Sequence, residues 1–298
     1  MTSKLLLIFV SASVGYVLGR TFDTTGVQGL LSTVITILVF TTILPSMMLL
    51  RLRATRLARK PLIASLIINF IYSPLYALLV LRLAQNYEMG IALTSSLLMP
   101  VPSMNPVYVL ISGGDLELSV SLMAVNFLAG VVAFPVLLKA ITGLHSIALD
   151  MHAVVRSLFV VVILPIAFGN LAGRFFNPDR ERISRLTEFS LNLLVFTIFF
   201  SKARFVHPEY ILSQIPLSLG FILSAILLAE LLSKILGMSL REHLSYVFIT
   251  AGKNNSSVIA ILTLSLSPVY AVYVMVHQFT QIVTLFVYAK VRKGEKVI

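Results

Sequence analysis

The sequence predicts an all-α integral membrane protein with ten transmembrane helices in two inverted five-helix repeats, whose broken helices 4 and 9 cross. Three observations lead to this fold class. Of the 298 residues, 58% are hydrophobic and only 12% are charged, whereas soluble domains carry roughly 25% charged residues. The apolar residues form stretches long enough to cross a bilayer. Two of these stretches are interrupted at their middle.

Ten apolar stretches account for the ten helices. Most of them approach the length of about 20 residues that a bilayer of roughly 30 Å requires, although the first and seventh are short. A signal peptide is the alternative for the first stretch, because Lys4 precedes a modest apolar run. The stretches run approximately over 4–19, 26–50, 61–82, 89–112, 118–143, 154–173, 186–201, 211–237, 244–265 and 268–289.

The placement of Lys and Arg predicts the orientation, because cytoplasmic loops carry an excess of both. If both termini share one face, that face collects sixteen of the 23 basic residues, the other face collects six, and Lys253 falls within a span. We therefore expect both termini in the cytoplasm and the chain in the cell membrane. The net charge of +11 is divided among loops, so the expected partner is the lipid bilayer rather than nucleic acid. The oligomeric state stays open.

The two interruptions predict a polar cavity at mid-membrane. One runs from Met99 to Pro106 and contains three prolines in seven positions, which a regular helix cannot accommodate. The other runs from Thr250 to Ser257 and is almost entirely polar. Freed backbone groups in lipid survive only where they face protein or water.

The position of the interruptions predicts the repeat. Asn105 and Asn255 are 150 positions apart (255 minus 105), close to half of 298, and each lies in the fourth span of a five-span half. Since five is odd, the second half enters the membrane inverted. The single domain 1–298 thus divides into repeats of about 1–145 and about 150–298.

Lys253 is the least expected residue, because a lysine near mid-membrane costs at least about 2.5–3.5 kcal/mol. No acid lies within a helical turn of it. We expect it to attract an anionic substrate or to act as a protonatable cation. The other charge within a span, Glu230, is expected to pair with Lys234 one turn away.

Other isolated polar residues are interpreted as contacts between packed helices; they are Asn69, Asn126, His277 and Gln278. The sequence contains no cysteine, which excludes disulfides and thiolate metal sites. It contains no catalytic triad, metal-ligand spacing or nucleotide fingerprint, so we expect no enzyme and no cofactor. A channel would need an open polar stripe along several helices, which the sequence does not show.

Two segments resemble the bile acid:sodium symporter superfamily, which includes the arsenite exporters of the arsenical-resistance family. The segment Ser112-Gly-Gly-Asp-Leu-Glu-Leu-Ser119 resembles the loop "xKGDxxLS" between spans four and five. The segment Gly252-Lys-Asn-Asn-Ser256 stands at the place of "G-x-Q-N" in span nine. The resemblance implies a panel of helices 1, 2, 6 and 7 and a core of helices 3–5 and 8–10.

The resemblance also implies the site. In the symporter branch, the crossing of helices 4 and 9 holds two sodium ions beside an organic anion. Candidate substrate-binding or ion-binding residues are Ser103, Asn105, Ser119, Asn126, Thr250, Lys253, Asn254, Asn255 and Ser257. A sodium site near Asn105, Ser119 and Asn254 is the corresponding expectation. Met123 and Thr250 replace the usual threonine and glutamate, and Lys253 adds an ammonium, which weakens a sodium site.

The arsenite branch is the alternative, because Asn69 with Pro74 resembles its "N-W-x-x-x-P" and Asn254-Asn255 its "N-N-F-E". Its cysteine would fall near Val101, and its glutamate on Ser257. Without a thiol, trivalent arsenic loses its characteristic ligand. We therefore predict a secondary active transporter that moves a small organic anion by alternating access, coupled to sodium or protons, with arsenite efflux as the alternative.

Overall fold

The apolar runs of the sequence become helices, and the polar or proline-rich segments between them become loops and breaks. The computed structural model describes residues 2–48, 57–101, 105–165, 167–168 and 180–294. Within these ranges the chain is helical apart from loops and one isolated β-bridge. The all-helical fold class is therefore confirmed.

In the described part of the chain before residue 145 there are seven α-helices. The first two are the simplest, with α1 over Thr2–Thr21 and α2 over Gln28–Met48. The third apolar stretch forms α3 and α4 around a π-helical turn, Ile68–Tyr72. The remaining bounds are α3 Arg59–Ile67, α4 Ser73–Leu83, α5 Tyr87–Leu98, α6 Asn105–Ser112 and α7 Leu116–Leu144.

Six α-helices with defined bounds follow within the described residues. The first of them, α8 over Met151–Leu158, runs directly into a second π-helical turn, Phe159–Ile163. The others are α9 Arg180–Lys202, α10 Pro208–Ile235, α11 Leu240–Ala251, α12 Asn255–Ser265 and α13 Pro268–Gly294.

Among the residues that the structure describes, six segments are long and apolar enough to cross a membrane. These segments confirm that the chain is a multi-pass membrane protein. The arrangement of ten spans in two inverted repeats stays a prediction. The six are Thr25–Thr42, Arg59–Leu83, Leu116–Leu144, Arg185–Phe205, Pro208–Ile235 and Pro268–Arg292.

Both interrupted stretches are broken helices, as the sequence predicts. The fourth stretch is divided into α5, which ends at Leu98, and α6, which begins at Asn105. The ninth is divided into α11, which ends at Ala251, and α12, which begins at Asn255. The outer ends of the first halves are capped: the Asn86 side chain accepts the Met89 N–H, and a capping box begins α11.

The described helices cluster into two compact units. The first contains Met1–Arg51, Asp150–Glu209 and Ile259–Val272. Within it, α1 packs closely on α9, because a Cβ added at Gly15 would lie 2.5 Å from the Phe196 carbonyl oxygen. Two small residues four positions apart, Gly15 and Gly19, permit this approach, as in other membrane helix pairs.

The second unit contains Leu52–Leu149, Tyr210–Val258 and Tyr273–Ile298. It includes both helix breaks. The N-terminal end of α7 packs against α11, where Gly114 leaves room for the backbone of Leu244. The backbone N–H of Asp115 also donates to the Ser245 hydroxyl at 2.7 Å. The candidate site is built within this unit.

Candidate functional site

The two helix breaks lie against each other. Pro100 and Lys253 form an antiparallel β-bridge, and the Asn254 N–H donates to the Met99 carbonyl oxygen at 2.9 Å. Each break thus supplies a partner for a backbone group that the other leaves free, which is what a break within a bilayer requires. The contact predicted between the breaks is present.

Close packing and backbone strain accompany this contact. A Cβ added at Gly130 of α7 would lie 2.5 Å from the Pro100 Cδ atom, so only glycine leaves room for the break there. Val101 adopts a φ of 76° although it is β-branched and buried. Such left-handed conformations are costly for branched residues and concentrate at functional sites.

Lys253 is 1% exposed, and neutral groups hold its ammonium. The Nζ atom donates to Asn69 Oδ1 at 2.7 Å and to Ser73 Oγ at 2.9 Å. It also lies 5.1 Å from the centroid of the Phe221 ring, within cation–π distance. In the described ranges, no carboxylate forms an ion pair with it.

Gln281 of α13 holds the backbone of Lys253. Its Oε1 accepts the Lys253 N–H at 2.8 Å, and its Nε2 donates to the Lys253 carbonyl oxygen at 3.2 Å. These two bonds fix which end of the Gln281 amide is oxygen. The Asn255 Nδ2 donates to the same Oε1 at 3.2 Å, so the amide of Asn255 is oriented as well.

Asn126 belongs to the support of Lys253. Its Oδ1 accepts the Asn69 Nδ2 at 2.9 Å, and its own Nδ2 donates to Ser65 Oγ and to the Leu122 carbonyl oxygen, both at 2.9 Å. The amide of Asn69 is thereby turned so that its oxygen faces the ammonium. Asn69 and Asn126 were expected to join packed helices, and they do so while they orient Lys253.

Asn105 and Ser119 form the second polar group of the site. The Asn105 Nδ2 donates to Ser119 Oγ at 2.8 Å and lies 3.8 Å from the Met123 sulfur. Because a thioether cannot donate a hydrogen bond, this contact also places nitrogen on that side. The Asn105 Oδ1 is buried without a partner.

The second interruption leaves two further oxygen atoms free. Asn254 is used locally, since its Oδ1 accepts the Ser257 N–H at 3.2 Å. By contrast, the Asn255 Oδ1 and the Ser257 Oγ are buried without a hydrogen-bond partner. Together with the Asn105 Oδ1, they are oxygen acceptors of the kind that bind hard cations or N–H and O–H donors.

Two predicted site residues differ from this pattern. Thr250 uses its hydroxyl within its own helix, where it donates to the Val247 carbonyl oxygen at 2.8 Å. Ser103 lies outside the described residues. The site therefore offers Asn105, Ser119, Asn255 and Ser257 for binding, and Lys253 as its charge.

The expected pairing of Glu230 with Lys234 is wrong. Glu230 forms an ion pair with Arg292 of α13, and the Tyr288 hydroxyl donates to its Oε1 at 3.1 Å. His243 of α11 joins this group through a 2.8 Å contact with the Tyr288 hydroxyl. Tertiary contact with a residue 62 positions away thus replaces the local pair, and Lys234 is exposed.

Sequence reasoning missed Ser73, Phe221 and Gln281, which all contact Lys253. Serine and phenylalanine are common within apolar helices, and nothing in the spacing of the three residues indicates a lysine ligand. Only Gln281 could have been found from the sequence, because it is a polar residue within the tenth apolar stretch and has no other assigned role.

A family model matches a large part of the chain. The family model described as "Sodium Bile acid symporter family" matches residues 33–207, more than half of the 298 residues. The match includes the first break and ends before α10, so Lys253 lies outside it. A comparison with curated proteins finds no match.

Proposed function

The chain belongs to the sodium bile acid symporter family of membrane transporters, and from this premise we propose that it moves a small organic anion across the membrane by alternating access. The anion is accompanied by one cation, which is either sodium or a proton. Under this proposal the protein is a carrier and not an enzyme.

The observation that carries the proposal is the contact between the two helix breaks. The helices α6 and α12 both begin there, at Asn105 and Asn255. The N-terminal ends of helices carry partial positive charge and attract anions, and broken helices of transporters use this property at their binding sites. The free oxygens of Asn105, Asn255 and Ser257 add acceptors for donor groups of the substrate or for a cation.

The residues fit one sodium ion better than two. Asn105 Oδ1 and Ser119 Oγ supply oxygen ligands on one side of the crossing. On the other side, the ammonium of Lys253 already occupies the oxygens of Asn69 and Ser73. We propose that this tethered ammonium takes the place of a second cation, and that it couples transport to pH if it releases its proton during the cycle.

The architecture that accompanies this mechanism is a proposal too. The proposed chain has ten spans in two inverted repeats. Spans 1, 2, 6 and 7 (α1, α2, α8 and α9) form a panel, and spans 3–5 and 8–10 form a core. Such a division would allow the panel and the core to move against each other. The first unit of the described helices agrees with this division in containing α1, α2, α8 and α9, and it differs in also containing residues 259–272 of α12 and α13.

Transport into proteoliposomes tests the proposal, with radiolabelled cholate as the first anion in a series of carboxylates and sulfonates. We expect uptake that an inward sodium or proton gradient drives. Replacement of sodium by choline abolishes uptake if sodium is the coupling ion. Lys253→Gln abolishes pH-driven uptake and leaves exchange of internal for external anion if the coupling ion is a proton.

Lys139→Gln is the matched control, because Lys139 is exposed on α7 and away from the crossing. If the folded protein shows saturable transport of none of the anions in the series, the carrier proposal is overturned. The arsenite alternative has no specific observation in its favour: the position where that branch carries its cysteine falls near Val101, and the chain contains no cysteine.

A further inference from the structure

Three fully buried side chains of α10 and α13 carry polar atoms without partners. They are Gln214 and Ser218 of α10 and His277 of α13, each 0% exposed. The unpartnered atoms are the Gln214 Oε1, the Ser218 Oγ and both ring nitrogens of His277. None of these residues belongs to the crossing described above.

The three side chains follow one line between α10 and α13. At one end, the Gln214 Nε2 donates to the Tyr273 carbonyl oxygen at 2.7 Å. At the other end, the Phe221 ring lies 6.3 Å from the His277 ring, centroid to centroid. Residue numbers rise along both helices between these contacts, so the two helices run in parallel here.

Ser218 lies between the two contacts. Helical periodicity puts Gln214, Ser218 and Phe221 on one stripe of α10, since residues three and four apart share a face. Ser218 is roughly 6 Å further along the helix axis than Gln214. The free hydroxyl is therefore placed between the amide of Gln214 and the imidazole of His277.

Lys253 and His277 both lie beside the Phe221 ring. The ammonium lies 5.1 Å from the centroid of that ring, and the centroid of the His277 ring lies 6.3 Å from it. The other titratable groups facing Phe221 are the phenols of Tyr72 and Tyr76, at ring distances of 6.0 and 5.4 Å.

Buried polar groups in proteins are almost always hydrogen-bonded, and where the protein offers no partner, ordered water usually serves. The three groups suit water. A hydroxyl donates and accepts, a neutral imidazole has one donor and one acceptor nitrogen, and an amide oxygen accepts. Such a set can pass a proton from one water molecule to the next, which apolar side chains cannot do.

We propose that Gln214, Ser218 and His277 line a file of water between α10 and α13 that carries protons to and from Lys253. This inference rests on the proton-coupled form of the proposed function, in which Lys253 takes up and releases a proton. When the ammonium gives up a proton, one N–H bond breaks and a water molecule or His277 accepts the proton. Each acceptor then passes a proton on, so one proton moves along the file and no group is oxidised or reduced.

Nuclear magnetic resonance of the full chain, labelled with ¹⁵N-lysine and purified in detergent, tests the file without a transported substrate. Lys253→Gln identifies the Lys253 signal by its loss. The measurement is the rate at which Lys253 Nζ hydrogens exchange with water. We expect Ser218→Ala and His277→Leu each to slow this exchange about tenfold, equivalent to about 1.4 kcal/mol in the barrier.

His277→Gln keeps a polar group in place. We therefore expect this variant to exchange the Lys253 Nζ hydrogens much faster than His277→Leu does. Thr142→Val is the control, because it removes a buried hydroxyl that donates only within its own helix, to Leu138 and Lys139. Ser218→Ala and His277→Leu lie on two different helices. If one variant fails to fold, the exchange rate of the other still tests the file. An unchanged exchange rate in the folded variants overturns the file.

The two proposals fail in different ways. If cholate and the other anions are not transported while Ser218→Ala slows the exchange at Lys253, the carrier proposal fails and the file stands. If transport responds to pH while both substitutions leave the exchange unchanged, the carrier stands and protons reach Lys253 by another route. A Lys253 signal that shows no exchange with water in any variant also overturns the file.

Discussion

The contact between Lys253 and Asn69 predicts a measurable coupling between the two residues. Asn69→Leu removes the 2.7 Å bond from the ammonium to Asn69 Oδ1 and also takes away the donor that satisfies Asn126 Oδ1. A hydrogen bond to a charged group contributes about 1.5–3 kcal/mol, and an unsatisfied buried acceptor costs about 1–3 kcal/mol. We therefore expect Asn69→Leu to lower the free energy of unfolding by about 2.5–6 kcal/mol.

The same substitution is expected to cost less when Lys253 is already replaced. Lys253→Met removes the buried charge, so Asn69→Leu no longer strands an ammonium, and only the loss at Asn126 remains. The difference between the two costs is the interaction energy of the pair, about 2 kcal/mol.

The assay is reversible unfolding of the four proteins in mixed micelles, which gives the free energy of unfolding for each corner of the cycle. Thr142→Val combined with Lys253→Met is the control pair, because the two side chains share no contact, and it should be additive within about 0.5 kcal/mol. If Asn69→Leu and Lys253→Met are additive within the same margin, Asn69 does not hold the ammonium and the reasoning about the site is refuted.

Two other predictions concern the breaks and the topology. Gly130→Ala should destabilise the protein by about 1–3 kcal/mol, because the added methyl group would overlap Pro100. Thermal unfolding measures this loss. Gly29→Ala is the control, because a methyl group added there meets nothing within 4 Å. A single cysteine in this naturally cysteine-free chain tests the ten-span topology: a membrane-impermeant thiol reagent applied from outside should label Gln85→Cys and not Lys290→Cys, and the reverse pattern would contradict cytoplasmic termini.

The broken helices could be predicted from the sequence because their causes are local. Three prolines between Met99 and Pro106 and the polar run from Thr250 to Ser257 are incompatible with lipid-facing helices wherever they occur. The equal position of the two segments in the two halves of the chain then predicts that they meet. No knowledge of tertiary contacts is needed for that step.

The partners of charged residues could not be predicted in the same way. Lys253 meets Asn69 from 184 positions away, and Glu230 meets Arg292 rather than Lys234. Helical spacing reports only neighbours on one helix, whereas packing decides which distant helix supplies a ligand. For the same reason the sequence indicates only a packing contact for Asn69, although its amide oxygen also holds the ammonium.

The two breaks differ in their contacts although they occupy matching places in the chain. At the break that contains Lys253, Gln281 holds the backbone of the lysine, and Asn69 and Ser73 hold its charge, while the Asn255 Oδ1 and the Ser257 Oγ have no hydrogen-bond partner. The break before Asn105 leaves an amide oxygen free and keeps Val101 in a strained conformation. Side chains that are already hydrogen-bonded suit a role within the protein, whereas free oxygens suit a ligand that comes and goes. Substrate and coupling ion should therefore depend more on Asn105 than on Asn254, whose side chain and backbone are already bound.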